Sequence, residues 1–192
     1  MKSTPTSIAD LVVIEPTVFE DQRGYFMESY QQAWFAAHVA PTQFIQDNES
    51  KSSRGVLRGL HFQSGAFAQA KLVRVLQGEV LDIAVDLRPD SPTFGQHLSI
   101  VLNDQNKKQV FIPRGFAHGF VVLSETAVFA YKVDNLYSKA HEGGILYNDP
   151  QLAIDWQLPT NELMLSEKDT LLPSFEEWKA LQSTSNNSQH GD

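Results

Sequence analysis

Short runs in which apolar and polar side chains alternate dominate the central part of the chain. The clearest run covers residues 80–87, with apolar side chains at every second position: Leu81, Ile83, Val85 and Leu87. Such alternation is typical of a β-strand. Residues 71–76 predict the strand before it, joined through a tight turn at Gln77 and Gly78. Further strand-like runs, separated by turn residues, follow at 97–102, 109–112, 119–123 and 127–133. Many short strands at roughly ten-residue spacing predict a sandwich or barrel.

Helix signals are confined to the two ends of this strand-rich region. Residues 28–38 predict a short helix that ends before Pro41. Ser166 and Asp169 have the spacing of a capping box, and a C-terminal helix is predicted near residues 174–181. Residues 182–192 offer almost nothing to bury, which predicts a disordered polar tail. We find no linker or repeat, so residues 1–181 are expected to form a single domain.

Composition narrows the class of protein. The chain has 192 residues, of which 42% are apolar and 20% charged, as in ordinary globular proteins. No apolar run approaches the roughly 18 residues of a membrane span, and the first residues lack the apolar core of a signal peptide. The absence of Cys excludes disulfides and thiolate chemistry. We therefore expect a protein of the cytoplasm with no membrane partner.

The charge is negative overall but unevenly distributed. Fifteen basic and 23 acidic side chains give a formal charge of −8, which argues against general binding to nucleic acid. Residues 51–78, here called the basic segment, nevertheless contain no Asp or Glu and five basic side chains: Lys51, Arg54, Arg58, Lys71 and Arg74. A basic segment in an acidic protein suits a small anionic ligand, and the alternative is a chance fluctuation of charge.

Two histidines lie in glycine-punctuated motifs. His61 closes a Gly-x5-His spacing and His118 closes a Pro-x-Gly-x-x-His spacing, and both resemble motifs of cupin barrels. Metal-binding cupins continue the first motif with a second His and a Glu, whereas here Gln63 takes the second position and no acidic residue follows within the basic segment. Two His alone form a poor site for a divalent ion, so a cupin-like barrel without metal is predicted. On a regular strand Arg58 and His61 would face opposite sides, unless Gly59 forms a bulge.

Other titratable side chains complete a set suited to proton transfer. A His oriented by an Asp such as Asp169 is a general base, a Tyr such as Tyr131 is a plausible general acid, and Lys71 could stabilise an oxyanion. With no nucleotide-cofactor motif, this set favours proton transfer next to a carbonyl over redox chemistry. The alternatives remain open: Tyr131 could be an aromatic residue of the barrel, and Asp169 could only cap a helix.

Ordered sequence blocks extend from about residue 10 to about residue 175. They are Phe19-x-Asp-x-Arg23-Gly-x-Phe26, Phe44-x-Gln46-Asp-Asn48, Ser53-Arg-Gly-Val-Leu-Arg-Gly-Leu-His61, Ala70-Lys-Leu-Val-Arg-Val-Leu-Gln-Gly78, Asp86-Leu-Arg-x-x-Ser-Pro-Thr-Phe-Gly95, Ile112-Pro-Arg-Gly-Phe-Ala-His-Gly-Phe120, Tyr131-Lys, Asn148-Asp-Pro150, Ile154-Asp-Trp156 and Leu165-Ser-Glu-Lys-Asp169. In this order they resemble the dTDP-4-dehydrorhamnose 3,5-epimerase family. The departures are small: Phe62 stands where the family commonly has Tyr, and residues 64–67 replace a segment that often carries Pro.

This resemblance implies an all-β fold, a cupin-type double-stranded jelly-roll barrel with short peripheral helices. It implies a homodimer whose N-terminal segments exchange strands, with residues 11–14 as the candidate strand. The activity it implies is inversion of C3 and C5 of dTDP-4-dehydro-6-deoxy-D-glucose to give dTDP-4-dehydro-L-rhamnose, in dTDP-L-rhamnose biosynthesis. A dTDP-sugar would be the substrate, and neither a cofactor nor a metal is expected.

The resemblance also implies roles for individual residues. His61 would be the base, oriented by Asp169, and Tyr131 would be the acid, acting from the opposite face of the sugar. Lys71 would hold the C4 oxygen as it becomes an enolate, and Tyr137 would stack on the thymine ring. Further contacts to the nucleotide-sugar, some of them from the partner subunit, would come from Arg23, Glu28, Gln46, Asp47, Asn48, Arg58, His118, Glu142 and Lys168.

Other functions remain as alternatives. A 3- or 5-monoepimerase or a 3,4-ketoisomerase acting on a related dTDP-4-keto sugar would share the barrel and the histidine. A sugar-binding cupin without catalytic activity is disfavoured, because binding alone does not need a base and an acid. A metal-dependent cupin oxygenase is disfavoured because two of the usual ligands are missing.

Overall fold

The computed structural model describes residues 1–187, and its strands form two antiparallel sheets and a separate hairpin. In chain order the strands are β1 (Lys2–Pro5), β2 (Val12–Glu15), β3 (Val18–Asp21), β4 (Gly24–Met27), β5 (Gln46–Ser53), β6 (Leu57–Gln63), β7 (Lys71–Gln77), β8 (Glu79–Asp86), β9 (His97–Asn103), β10 (Gln109–Ile112), β11 (Phe116–Val122), β12 (Thr126–Val133) and β13 (Glu142–Gly144). The predicted strand at 109–112 matches β10, and the other predicted strands are confirmed within one to three residues.

The two sheets have the strand orders β1-β2-β10-β7-β12-β5 and β13-β6-β11-β8-β9. Every neighbouring pair of strands is antiparallel. From β5 to β13 consecutive strands alternate between the sheets, except that β8 and β9 pair within one sheet. The predicted jelly-roll barrel is therefore confirmed. Strands β3 and β4 pair only with each other and form a hairpin outside both sheets.

The apolar interior lies between the sheets. Phe120 of β11 and Phe129 of β12 stack there with ring centroids 4.3 Å apart. Strand β8 is buried on both faces: Ala84 points between the sheets, whereas Ile83 packs on the outer side beneath Trp156. Alternate residues of β8 therefore point to opposite faces of the strand, and both faces are buried. Asp82 shares the inward face with Ala84, and this places a carboxylate inside the barrel.

Three short helices flank the barrel: α1 (Gln32–His38), α2 (Glu167–Thr170) and α3 (Phe175–Asn187). Helix α1 begins four residues later than predicted and covers the outer face of the six-stranded sheet, where Phe35 is buried against Phe111. Of the helices within residues 1–187, none has both the length and the apolar character needed to cross a membrane.

The C-terminal helix is longer than the sequence predicted. Helix α3 continues six residues past Leu181 into the segment expected to be disordered, because that segment contains no Gly or Pro that would end a helix before Gly191. The rest of the predicted tail, residues 188–192, lies outside the described residues.

Residues 11–14, the candidate exchanged strand, are paired within this chain. The run at 11–14, predicted to be exchanged with a partner, falls mainly in β2, which pairs with β1 and β10 of the same chain. Within this one chain it is therefore an internal strand with both edges satisfied. The segment that remains without a partner sheet is the β3–β4 hairpin, with Phe19 and Phe26 63% and 70% exposed.

Candidate active site

A cavity of about 570 Å³ opens between the two sheets and is closed on one side by helix α2. The five-stranded sheet supplies Arg58, His61 and His118, and the six-stranded sheet supplies Lys71 and Tyr131. The four side chains predicted to be catalytic, His61, Lys71, Tyr131 and Asp169, are thus brought to one cavity from distant parts of the chain. Of the basic segment, Arg58 and Lys71 line this cavity, whereas Lys51, Arg54 and Arg74 do not.

A bulge in β6 turns two of these side chains into the same cavity. Between Arg58 and His61, two residues of β6, Gly59 and Leu60, lie opposite the single residue Gly119 of β11. Gly59 has a φ of +132°, and a Cβ there would lie 2.5 Å from the Cα of Gly119. Only glycine fits this close approach. The bulge at Gly59 that the sequence left open is therefore present, and Arg58 and His61 both line the cavity.

His61 is held by a carboxylate. Its Nε2 lies 2.5 Å from Oδ1 of Asp169, whose side chain is only 5% exposed. Because a carboxylate only accepts, Nε2 carries the proton and Nδ1 is left as the basic nitrogen. Burial lowers the pKa of His61 below its usual 6.5, Asp169 raises it, and the positive charges of Lys71 and Lys168 lower it further. The net lowering keeps His61 unprotonated near pH 7, as a general base requires.

Lys71 is a buried cation in the same cavity. Burial lowers the pKa of its ammonium group from 10.5 to about 8, against the opposing effect of the negative charge of Asp82. The side chain is therefore mostly protonated at pH 7. A cation shielded from water is well suited to stabilise negative charge on a ligand oxygen.

Tyr131 faces the cavity from the sheet opposite His61. It lies on β12, next to Val73 of β7 and Asn48 of β5. Burial raises the pKa of its hydroxyl above 10, and the charge of Arg58 lowers it in part. Tyr131 therefore stays protonated and can donate. His61 and Tyr131 come from opposite sheets, and a ligand between the sheets would meet one of them on each face.

A polar cluster forms the rim of the cavity. The hydroxyl of Tyr137 donates to Oε2 of Glu142 at 2.9 Å, and Lys168 donates to the other oxygen of Glu142. The hydrogen bond from Lys168 lowers the pKa of Glu142. Tyr137 is 57% exposed.

Five predicted ligand contacts lie outside this cavity. Arg23 is fully exposed on the β3–β4 hairpin, where its closest partner is Asp21, and Glu28 is exposed just after β4. The others lie on β5. Gln46 is bonded to Asn48 at 2.8 Å, and Asp47 is paired with Lys132 at 2.8 Å.

Asp47 and Asn48 line a separate depression of about 530 Å³ with Arg74 and Tyr131. Within a single chain, the predicted contact set is thus divided between the cavity and the outer surface.

Two contacts of the site are not apparent from the sequence. Asp82 accepts from Nε2 of His118 at 2.8 Å, and Ser52 accepts from the guanidinium of Arg58 at 3.2 Å. The only signal for Asp82 in the sequence is an acidic side chain inside an apolar strand, and it cannot be interpreted without the partner 36 residues later. Within residues 1–187, no group of three or more His, Asp or Glu side chains is placed to hold a metal ion.

The fold and the site together define a class, a cupin-type jelly roll whose interior combines an oriented imidazole, a facing tyrosine and a buried ammonium. A family model described as dTDP-4-dehydrorhamnose 3,5-epimerase matches residues 5–177. The chain belongs to this family.

Individual relatives are similar to this chain in sequence over almost its whole length. A dTDP-4-dehydrorhamnose 3,5-epimerase of Pseudomonas aeruginosa is 55% identical over 170 residues, covering 88% of this chain and 93% of the relative. The crystal structure of the enzyme of that name from Elizabethkingia anophelis is 55% identical with a TM-score of 0.89, covering 92% of this chain and 97% of that one. A dTDP-6-deoxy-D-glucose-3,5-epimerase from Legionella pneumophila, solved with dTDP-4-keto-L-rhamnose, is 48% identical with a TM-score of 0.88, covering 91% and 93%.

Proposed function

We propose that this chain inverts C3 and C5 of dTDP-4-dehydro-6-deoxy-D-glucose to give dTDP-4-dehydro-L-rhamnose. The observation that carries the proposal is the placement of His61 and Tyr131 on opposite sheets of one cavity. Inversion needs a proton removed from one face of a carbon and returned to the other, and this arrangement supplies a group on each side. Family membership and the ligand in the Legionella structure support the choice of substrate.

The chemistry follows from the position of the two carbons beside the C4 carbonyl. Nδ1 of His61 takes the proton from C3 or C5, and the electron pair moves onto the C4 oxygen as an enolate. Lys71 stabilises that oxygen; losing one such donor typically costs about 2.7–4 kcal/mol. The Tyr131 hydroxyl then delivers a proton to the opposite face of the carbon. The reaction needs no redox partner, because each centre loses one proton and gains one.

The remaining side chains are assigned to the diphosphate and to the thymine of the nucleotide-sugar. A diphosphate carries about two negative charges, for which a guanidinium offers bidentate contacts, and Arg58 and Lys168 both line the cavity. His118 lines the same wall. Tyr137 at the rim is placed to stack on the thymine ring. This account needs no cofactor.

We further propose a homodimer in which the β3–β4 hairpin reaches the partner's cavity. Phe19, Tyr25 and Phe26 expose large apolar surfaces on this hairpin, which is unusual unless another surface covers them. The hairpin also carries Arg23, and Glu28 follows it directly, so that an exchanged segment would bring both to a second active site. Exposed β edges are a liability that such an exchange removes.

Subunit mixing tests this dimer. We expect a dimer by light scattering, and Arg23→Ala and His61→Asn to be impaired as separate proteins. When the two variants are co-expressed, the mixed dimer has one site that combines an intact His61 with an intact Arg23 from the other subunit. Recovery of activity in the mixed dimer supports the exchange, and failure to recover any activity contradicts it.

Incubation with dTDP-4-dehydro-6-deoxy-D-glucose in deuterium oxide tests the activity itself. The proposed epimerase gives the L-rhamno product with deuterium at both C3 and C5. A monoepimerase inverts one centre only, a 3,4-ketoisomerase moves the carbonyl to C3, and a sugar-binding protein incorporates no deuterium. His61→Asn is the matched control, because it lacks the base and should exchange at neither carbon.

A further inference from the structure

A buried carboxylate beneath the active site has only half of its hydrogen bonds satisfied. Asp82 on β8 is 1% exposed, and its Oδ2 accepts from Nε2 of His118 at 2.8 Å. Its Oδ1 is buried and has no hydrogen-bond partner among residues 1–187. Burying a carboxylate in this way is costly, and a buried acceptor without a partner requires an explanation. Packing does not supply one, because an apolar side chain would fill the same position.

The charge of Asp82 acts on the other buried charge of the cavity. Lys71 extends from β7 in the opposite sheet, and burial of a lysine lowers its pKa. The pKa of Lys71 falls only to about 8, and the negative charge of Asp82 opposes the fall. Without this charge, the pKa of Lys71 would be lower still.

The other charged groups do not replace Asp82. Glu49 also lines the cavity, but it is exposed to solvent, where its charge is screened. The positive charges of Arg58 and Lys168 disfavour a further cation among them, and Asp169 is engaged with His61. The titratable side chains that line the cavity, apart from Lys71 itself, are Glu49 of β5, Arg58 and His61 of β6, His118 of β11, Tyr131 of β12, and Lys168 and Asp169 of α2.

We propose that Asp82 is a positioning residue that keeps the Lys71 ammonium charged and fixes the His118 proton on Nε2. Both effects come from one carboxylate. Its hydrogen bond orients the imidazole of His118, and its negative charge stabilises the charged form of Lys71 across the barrel. The catalytic meaning of this inference rests on the proposed function, in which Lys71 stabilises the enolate. The charge state of Lys71 itself can be measured without any substrate.

The test compares wild type with Asp82→Asn, which keeps the size of the side chain and removes its charge. Both proteins are labelled with 13C at the lysine side chains, and the signal of Lys71 is assigned by its loss in Lys71→Met. In wild type the signal should titrate near pH 8. In Asp82→Asn the midpoint of the titration should fall by about 1–3 on the pH scale, the usual effect of one nearby opposite charge. An unchanged titration overturns the proposal.

Asp86→Asn is the matched control. It removes a second buried carboxylate from the same strand, but Asp86 contacts Arg88, Ser91 and Thr93 instead of His118. The Lys71 titration should stay near pH 8 in this variant. An equal change in both variants would mean that loosening of β8 moves the titration, and the proposal would be wrong. If Asp82→Asn does not fold, Asp82→Ser provides the same loss of charge with a smaller polar group.

Kinetics then separate a charge effect from a structural one. In Asp82→Asn the loss of kcat should be large at pH 8 and smaller at pH 6. At a pH above the pKa of Lys71, lowering that pKa by about 1 reduces the charged fraction of the side chain about tenfold. In a Lys71→Arg background the guanidinium stays charged, so adding Asp82→Asn should no longer change the shape of the pH profile. A loss that is equal at every pH contradicts the proposal.

If wild type does not turn the substrate over, the proposed function fails, while the lysine titration still decides the role of Asp82.

Discussion

His61 and Asp169, 108 residues apart in the chain, share a hydrogen bond of 2.5 Å between Nε2 and Oδ1. The carboxylate is available for this bond because the backbone N–H of Asp169, and not its side chain, takes part in the helix cap, donating to Oγ of Ser166 at 3.2 Å. Asp169 thus combines the two roles between which the sequence left a choice. One turn of helix fixes the backbone, and the side chain is free to orient the imidazole of His61.

Asp169→Asn should lower kcat by about 10²–10⁴-fold, because the amide no longer fixes the imidazole in the required tautomer. The negative charge of Asp169 raises the pKa of His61, so its loss should also move the acid limb of kcat/KM to lower pH. Steady-state rates between about pH 5 and 9 check both effects. Ser166→Ala is the control: it should cost about 1 kcal/mol of unfolding free energy through the lost cap and leave the acid limb in place. An acid limb that does not move in Asp169→Asn argues against this role.

The pH profile of the wild-type protein should be bell-shaped. The rate rises as His61 loses its proton, and the lowered pKa of this group places the acid limb below its usual 6.5. The rate falls as Lys71 loses its proton, which places the basic limb near pH 8. Measurement of kcat/KM reports these groups in the free enzyme. A rate that continues to rise through about pH 9 would contradict a charged Lys71 in the active form.

Acid should weaken the fold through Asp86. Although burial raises the pKa of this carboxyl, hydrogen bonds from Arg88, Ser91 and Thr93 lower it to about 2. A carboxyl whose pKa is lowered by folding stabilises the protein above its unfolded pKa of about 3.9, and this contribution disappears as the pH falls towards 2. The loss amounts to about 2 kcal/mol. Denaturant unfolding at about pH 5 and about pH 2 should show this decrease, and Asp86→Asn should lack that share of it.

The strands with two buried faces or a regular alternation were predictable from the sequence. β8 has a clear period-two pattern and β10 has three consecutive apolar residues, so their positions are recovered closely. β11 was predicted to begin at Gly119 and in fact begins at Phe116. Gly119, the first residue of the predicted run, faces the bulge in β6. The β3–β4 hairpin has no buried face in this chain, and therefore no hydrophobic period marks it.

The residues proposed as catalytic were inferred mainly through family resemblance and only in part through chemistry. Residue types alone suggested His61 as a base, but its pairing with Asp169 depends on the path of the last third of the chain. The contacts proposed for Arg23 and Glu28 rest on the resemblance alone, because a single chain leaves both residues on its outer surface. Asp82 could not be distinguished from an ordinary strand position until the fold placed His118 beside it.

The opposed placement of His61 and Tyr131 is tested most directly by the ratio of proton exchange to inversion in Tyr131→Phe. This variant loses one hydroxyl, so the packing of the barrel should change little. The enolate still forms on the His61 side and can take a deuteron back from His61, so exchange at C3 or C5 in deuterium oxide should persist. Inversion should fall about 10²–10⁴-fold, because delivery to the other face has lost its donor. Equal losses of exchange and inversion would show that Tyr131 stabilises the enolate instead, and a ratio unchanged from wild type would contradict its assignment as the acid.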